Sequence, residues 1–371
     1  MRRAPAEMKA GAASKPNPLF LLMLLLDPSV AEISCRNENG QAVDWFAIYK
    51  LPKRTEEQSS GLGLRYVYLD PTTGDWQQGM SLVNSTQSAV GRTLQQLYAI
   101  CKPQVNDSAY FIYNDAPPSM PYDMKHGHTK GVLTFNKVQG FWLMHSVPHF
   151  PANATEGYMY PSSGQRYGQT FLCITIQYNQ VSEIGTQLLY SNPHVYSWAL
   201  PRLFLPELSH LQVVAKGGSV SRSPWKRWAT LTSLGGVHFQ SFAKFKYFGD
   251  DIYAAWAAQA LQTDLLSETW RNGKGDLPSN CSLPKHIYNV KGVNLPGHTF
   301  LTRNDHSKWC VSLHPDDGWV CVGDLNRTFG QMWRSGGLLC TQNPLLYRAL
   351  RKAVSEYRQC WEGPRDGAGK L

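Results

Sequence analysis

Two His-x-Lys tripeptides occur in this chain, His128-Thr129-Lys130 and His306-Ser307-Lys308, and there are no others. In an extended strand residues i and i+2 project from the same face, roughly 6–7 Å apart along the chain, so each tripeptide presents an imidazole beside an ammonium. An imidazole with an ordinary pKa near 6.5 can act as nucleophile or general acid, and the ammonium adds fixed positive charge. Two such pairs facing each other would hold a phosphodiester between a nucleophilic His and a proton-donating His, with both lysines on its equatorial oxygens. No metal is needed in that arrangement, because the lysines supply the charge that Mg²⁺ would otherwise supply. A phosphohistidine intermediate then divides hydrolysis into two displacements, the second His protonating the leaving oxygen and then activating water.

What surrounds the two tripeptides matches position by position. Each is followed by an apolar run, Gly131 to Phe135 or Trp309 to Leu313, and by a five-residue turn, Asn136 to Gly140 or His314 to Gly318. A second apolar run follows, Phe141 to Met144 or Trp319 to Val322. Apolar runs separated by short Gly-containing turns read as β-hairpins, so the chain carries one hairpin twice and the two copies make one site between them. The second strands end in His145-Ser146-Val147-Pro148 and Gly323-Asp324-Leu325-Asn326 at equivalent offsets. His145 either lines that pocket or is an ordinary strand-end histidine, and His126 is read as a loop residue.

Further strands are expected over 45–51, 64–69, 110–113, 141–147, 170–178, 213–215 and 319–322, and helices over 90–101, 252–265 and 344–357, a mixed α/β or α+β pattern. A break is expected in the polar, Gly- and Pro-containing stretch 271–284, dividing the chain into 1–31, 32–270 and 271–371. Basic residues in 1–15, an apolar run over 19–26 and small residues Ser29 and Ala31 make 1–31 a secretory signal, too short in its apolar part to span a bilayer. No other uncharged run approaches membrane-spanning length, so no stable membrane association is expected.

The chain has 371 residues, 42% of them hydrophobic, and a formal net charge of +9, which excludes a disordered chain and favours a folded basic surface with a polyanionic partner. Its eight cysteines contain no Cys-x-x-Cys pair, so with a secretory signal they read as disulfides rather than a zinc site. Glycosylation sequences occur at Asn84, Asn106, Asn153, Asn280 and Asn326. The acids Asp250-Asp251 and Asp316-Asp317 read as solvated turns rather than metal ligands. Trp225-Lys226-Arg227-Trp228 interleaves aromatic and basic residues, as nucleic-acid surfaces do and as ordinary packing also does.

The paired His-x-Lys hairpins resemble the two half-motifs of the phospholipase D superfamily, and Gly323-Asp324-Leu325-Asn326 resembles its Gly-Ser/Thr-x-Asn strand end. The Asp that the superfamily places after His-x-Lys is absent, with Phe135 and Leu313 in its place. Val43-Asp44-Trp45-Phe46, Tyr49-Lys50-Leu51-Pro52-Lys53, His128-Thr129-Lys130-Gly131, His145-Ser146-Val147-Pro148, Tyr160-Pro161-Ser162-Ser163-Gly164-Gln165 and Asp305-His306-Ser307-Lys308-Trp309 are similar to the deoxyribonuclease II family, more specifically its beta type, from about Cys35 to Cys360. This resemblance implies a phospholipase D-like fold of two related halves, each a mostly β sheet flanked by helices, sharing one active site. It implies a lysosomal acid endonuclease reached through the secretory pathway, acting on DNA without cofactor or metal and leaving 3′-phosphate ends. By the same analogy His128 is the nucleophile and His306 the general acid, in roles that could be exchanged. Lys130 and Lys308 would bind the phosphate and Asn326 orient it, and a glycan on Asn326 would block such a site. The family pairing implies disulfides Cys35–Cys173, Cys281–Cys360 and Cys321–Cys340, with Cys101 and Cys310 free. A homodimer is compatible with this reading. The rival functions are a lipid-directed phosphodiesterase with the same chemistry and an inactive secreted binding module.

Overall fold

The computed structural model describes residues 1, 32–53, 63–101 and 106–361. The expected secretory signal, apart from Met1, lies outside the described residues. The repeated apolar runs form hairpins in two separate sheets. In the first sheet the strands run, in spatial order, Val195–Ala199, Ser108–Asn114, Lys130–Asn136, Gln139–His145, Gln169–Gln177, Trp45–Lys50, Tyr66–Leu69 and Gln77–Gln78. In the second the order is Lys226–Thr232, His238–Lys244, Gly336–Thr341, Val320–Gly323, Trp309–Ser312, Leu265–Glu268, Ile287–Leu295 and His298–Leu301, with Val354–Arg358 also paired to Ile287–Leu295.

Six consecutive strands correspond between the sheets. From Ser108–Asn114 through the first hairpin to Tyr66–Leu69 every pairing is antiparallel. From Leu265–Glu268 through the second hairpin to Lys226–Thr232 the same holds. The repeat read from two tripeptides thus extends over most of both sheets. The second sheet already begins at Lys226, and residues 271–361 complete it. The Gly- and Pro-containing stretch 271–284 is a connection inside the second sheet, between Leu265–Glu268 and Ile287–Leu295. The basic segment near 216–225 is the actual link between the sheets.

Strand alternation builds three cores. Trp45, Ala47 and Tyr49 join Trp309, Val311, Val320 and Val322 in a central core shared by both sheets. Phe46 and Ile48 face the opposite way, onto helix Ala89–Cys101, and Cys310 and Cys321 face the outer layer of residues 252–261. Strands buried on both faces read as continuous apolar runs, which is why they stood out in the sequence. Helices Val181–Ser191 and Pro344–Ala353 supply Ile184, Leu188, Leu346 and Leu350 to the central core. The second of these starts where Asn343 accepts from the amides of Leu345 and Leu346, both at 3.1 Å, just before Pro344 at the first helical position. The helix Val181–Ser191 follows a strand of the first sheet yet binds the second, Gln187 Nε2 donating to the Ser241 carbonyl at 2.8 Å. Residues from Ile33 onward accordingly form one unit.

Several local expectations change. Residues 213–215 end a helix, Leu205–Ala215, in which Val214 and Ala215 continue the buried stripe begun by Leu208 and Leu211 while Val213 faces outward. Residues 252–265 split into a π-helical turn, Ile252–Ala257, an α-helical turn, Ala258–Leu261, and the strand beginning at Leu265. The first hairpin turns through Lys137 and Val138 alone, Asn136 Oδ1 accepting from the Val138 and Gln139 amides. Asp251 is not a solvated acid: it caps the π-helical turn through the Tyr253 amide and pairs with buried Arg327 at 2.9 Å. The three disulfides fall as the resemblance implied, leaving Cys101 and Cys310 unpaired. Among the described residues no helix is long and apolar enough to cross a membrane.

The sheets are tied together beneath the second hairpin. Tyr49, from the first sheet, hydrogen-bonds through its hydroxyl to Asp305 and, at 2.9 Å, to Ser307, and accepts from the Trp309 indole at 3.1 Å. All four residues are buried. Replacing Tyr49 by Phe removes that hydroxyl and leaves Ser307 as the remaining link between Asp305 and the Trp309 indole, and loss of a buried hydrogen bond to a carboxyl costs roughly 1–3 kcal/mol. Urea unfolding should show Tyr49→Phe destabilised by about that amount at unchanged m-value; wild-type stability would mean the hydroxyl is not a tie between the halves.

Candidate active site

Both histidines sit just before the first strand of their hairpins, where chain direction is set by contacts with the opposite half. The His128 amide donates to the Ser335 carbonyl at 2.9 Å, and the His306 amide donates to the Gly168 carbonyl at 2.8 Å. Ser335 and Gly168 immediately precede the equivalent strands Gly336–Thr341 and Gln169–Gln177. The side chains repeat the exchange. His128 Nδ1 lies 2.7 Å from the Asp324 carbonyl, and His306 Nδ1 lies 2.9 Å from the Ser146 carbonyl. Asp324 and Ser146 are each the first residue after the second strand of the other half's hairpin. A carbonyl can only accept, so each Nδ1 carries a proton and each neutral imidazole has its lone pair on Nε2. Tautomer and ring orientation are set by these backbone carbonyls, with Gln169 Oε1 a second acceptor 3.2 Å from His306 Nδ1.

The two lysines are held differently. Lys130 Nζ donates to Asp115 Oδ1 at 2.5 Å, and Lys308 Nζ donates to the carbonyl of its own His306 at 2.5 Å. All four residues form one electrostatic unit. Burial pushes His128 below its ordinary value, with Lys130, Arg334 and Lys308 adding to the effect and Asp115 opposing it. Burial likewise depresses His306, and Lys308, Lys130 and His128 add to it. Burial and the charge of Lys130 hold Lys308 well below the usual lysine range.

Beyond the shared backbone frame the halves diverge. In strand register Gly131 faces Tyr113 and Trp309 faces Glu268, so Asp115 and Trp270, each two residues further on, occupy equivalent places. His145 faces Phe171 and Gly323 faces Leu338, which makes Tyr167 and Arg334, each four residues earlier, equivalent as well. Beside His128 these places hold an ion pair, Asp115 with Arg334 at 3.2 Å, and Asp115 Oδ2 is 4.0 Å from His128 Nε2. Beside His306 they hold an aromatic pair, Trp270 with its ring centroid 5.2 Å from the imidazole and Tyr167 edge-on to Trp270 at 4.5 Å. Burial alone would raise the Asp115 carboxyl, but Lys130, His128 and Arg334 override it and keep it ionised.

The remaining sequence candidates fall unevenly. His145 is buried next to the charge of Lys130, its Nδ1 accepting from the Val147 amide at 3.2 Å and its Nε2 without a protein partner. Asn326 is not among the contacts of the four residues. The chain turns after Gly323, so the Asp324 carbonyl meets His128 while Asn326, two residues on, lines a small cavity with Asp251, Ile252 and Leu277. Trp225 stacks with Phe245 and meets Tyr247 edge to face, and Arg227 pairs with Glu183, which accounts for those two by packing. Trp228 is 48% exposed. Sequence reading missed Asp115, Asp324, Tyr167, Trp270 and Arg334; superposing the flanks of the two hairpins in register is the signal that finds them. Burial pushes the Asp324 carboxyl up to about 7, against the pull of Lys130.

The arrangement offers two Nε2 lone pairs and two ammonium groups in a buried, cationic setting, the donor set for in-line attack on a phosphodiester. Comparison with known proteins identifies the family. The family model described as deoxyribonuclease II matches residues 34–360. The chain is 50% identical to deoxyribonuclease-2-beta of Homo sapiens over 333 residues, covering 89% of this chain and 92% of that protein. It is 44% identical to deoxyribonuclease-2-alpha of Mus musculus over 352 residues, 93% of this chain and 98% of that one. Plancitoxin-1 of Acanthaster planci is 36% identical over 347 residues, 92% and 96% of the two chains. With a matching family model spanning nearly all of Ile33–Cys360 and relatives aligned end to end at these identities, the chain belongs to the deoxyribonuclease II family.

Proposed function

We propose that this chain is a metal-independent acid endodeoxyribonuclease of phospholipase D-like fold, hydrolysing DNA to 3′-phosphate ends in the lysosome, which it reaches through the secretory pathway. The observation that carries the reading is the reciprocal anchoring of His128 and His306, each held with Nε2 free by a carbonyl of the opposite half. The six-strand correspondence supports the two-half fold, the disulfides fit the secretory route, and the charge of +9 suits a polyanionic substrate.

In the first displacement one imidazole Nε2 forms a bond to phosphorus as the bond to the 5′ oxygen breaks, and the other imidazole, protonated on Nε2, delivers that proton to the departing oxygen. The second imidazole then takes a proton from water as the water oxygen bonds to phosphorus and the phosphorus–nitrogen bond breaks, leaving a 3′-phosphate. Lys130 and Lys308 neutralise the equatorial oxygens throughout. The surroundings favour one allocation of roles. Asp115, 4.0 Å from His128 Nε2, stabilises the protonated form there, whereas His306 meets an indole and no carboxylate. His128 is therefore the general acid and His306 the nucleophile, the reverse of the allocation taken from the resemblance.

Acid dependence follows from the same burial. The general acid must carry a proton, yet both imidazoles are held below the ordinary value near 6.5. Cleavage should therefore rise as pH falls below that value. Plasmid cleavage in EDTA at about pH 5 should proceed in the wild type and fall by about 100- to 10,000-fold in His128→Ala, and by at least as much in His306→Ala. A requirement for Mg²⁺, or release of choline from dispersed phosphatidylcholine with plasmid left intact, would overturn the reading. A p-nitrophenyl ester of thymidine 3′-phosphate separates the roles, since that leaving group needs no proton. His128→Ala should release p-nitrophenol in a burst at near wild-type rate while His306→Ala releases none; the opposite pattern restores the reversed allocation.

Asp324 gives a second pH handle. Its folded-state value, about 7, lies above the ordinary carboxyl value of about 3.9. The neutral form is the one the fold prefers, so its stabilising effect is complete below about pH 4 and is lost as pH rises through about 7. Ionisation also places a negative charge near Lys130. Asp324→Asn should therefore lose less activity and less stability than wild type between about pH 5 and 8, measured as pH–rate and pH–Tm profiles; profiles parallel to wild type would show that this carboxyl does not titrate there.

A further inference from the structure

The loop that leads into His128 carries a second histidine, and it meets a third. His126 Nδ1 lies 2.8 Å from Asp123 Oδ2, and His194 Nδ1 lies 3.9 Å from the same oxygen. The two imidazoles are stacked, with centroids 4.7 Å apart and planes within 12°. All three ligand atoms lie within 4.8 Å of one another, the only such group of three His, Cys, Asp or Glu residues among those described. Each residue is half-buried, which leaves a path for an ion.

We propose that Asp123, His126 and His194 form a binding site for a borderline divalent cation of the zinc class, separate from the phosphodiester site. Two imidazole nitrogens and one carboxylate oxygen are three of the four ligands such an ion takes, with a water completing the tetrahedron; Mg²⁺ and Ca²⁺ prefer all-oxygen sets. Bonds of about 2.0–2.1 Å need donors about 3.3 Å apart, so the group has to close by an ångström or so around the ion. Two observations point beyond a solvated surface cluster. His194 Nδ1 is buried and has no hydrogen-bond partner, a lone pair or N–H directed at a carboxylate it does not reach. The carboxylate is already oriented for one-oxygen ligation, because its Oδ1 accepts from the Lys125 amide at 2.7 Å and leaves Oδ2 to the imidazoles.

The supporting frame is rigid. Asn114 donates its amide to the His194 carbonyl at 3.0 Å, the Gly127 amide donates to Asn192 at 2.7 Å, and the Asp123 amide donates to Asp115 at 2.8 Å. Arg334 Nη2, the partner of Asp115, also donates to the His126 carbonyl at 3.1 Å. On binding, the neutral His126 ring carries its single N–H on Nε2 and turns the Nδ1 lone pair to the ion, so the hydrogen bond from Nδ1 to Asp123 is exchanged for two bonds to the metal. The paired acids Asp250-Asp251 and Asp316-Asp317 belong to no such group.

The test uses the full chain, stripped with chelator and dialysed, at about pH 7.5, where imidazole is unprotonated. Zinc titrated against a chromophoric chelator should bind at one ion per chain and raise Tm, while Mg²⁺ does neither. His126→Ala, His194→Ala and Asp123→Asn should each keep the metal-free Tm and weaken zinc binding by at least about 100-fold. Cobalt(II) should give a visible band of a four-coordinate site in the wild type and not in the variants. Absence of stoichiometric zinc binding in the wild type, or unchanged affinity in the double variant His126→Ala/His194→Ala, would overturn the assignment.

Discussion

Each imidazole of the site is held by a backbone carbonyl that belongs to the opposite half of the chain, and most other features of the molecule answer to that requirement. For Asp324 to reach His128, the second hairpin must end within hydrogen-bond distance of the first; for Ser146 to reach His306, the reverse must hold. The sheets cannot move apart without releasing both rings. This explains why the central core draws on both sheets, why helix Val181–Ser191 crosses from one to the other, and why Tyr49 reaches from one to the base of the second hairpin. Sub-ångström placement of two reactive nitrogens is thereby delegated to main-chain geometry, which is stiffer than any side chain.

Burial of so many ionisable groups divides them into two sets. Histidines and Lys308 are pushed down, while the carboxyls of Glu268, Asp305 and Asp324 are pushed up. A raised carboxyl takes up its proton more readily as pH falls, which lightens the cost of burying it. Asp115 is the exception, ionised because three cationic partners surround it. An anion buried beside the histidine among cations is a specific device, and its equivalent position in the other half is occupied by Trp270. Identical backbone frames thus carry different electrostatics.

The hairpins were legible because their signal is local: a polar pair, two apolar runs and a Gly-bearing turn recur at fixed offsets. The carbonyl partners were not, since Ser146 and Asp324 act on the rings through main-chain atoms that no residue type advertises. Asp115, Trp270, Tyr167 and Arg334 come from loops distant in sequence and meet the histidines only once strands are in register. The place of Asn326 was hidden for a related reason: equivalence by offset does not foresee the turn after Gly323 that puts it beside a cavity lined by Asp251. Gly and Pro mark loops of every kind, so composition does not tell the stretch 271–284, which punctuates one sheet, from the basic segment near 216–225, which joins two.

A phosphodiester within a DNA strand has direction, with a 3′ oxygen on one side of phosphorus and a 5′ oxygen on the other. The reciprocal hydrogen bonds have none, because exchanging the halves leaves them unchanged. A fully symmetric site would accept the strand in either orientation and release either oxygen. The choice of which end keeps the phosphate therefore resides in the few places where the halves differ, with the Asp115–Arg334 ion pair on one side and the Trp270–Tyr167 stack on the other. In the proposed mechanism, the polarity of the cut is set by residues outside both His-x-Lys motifs.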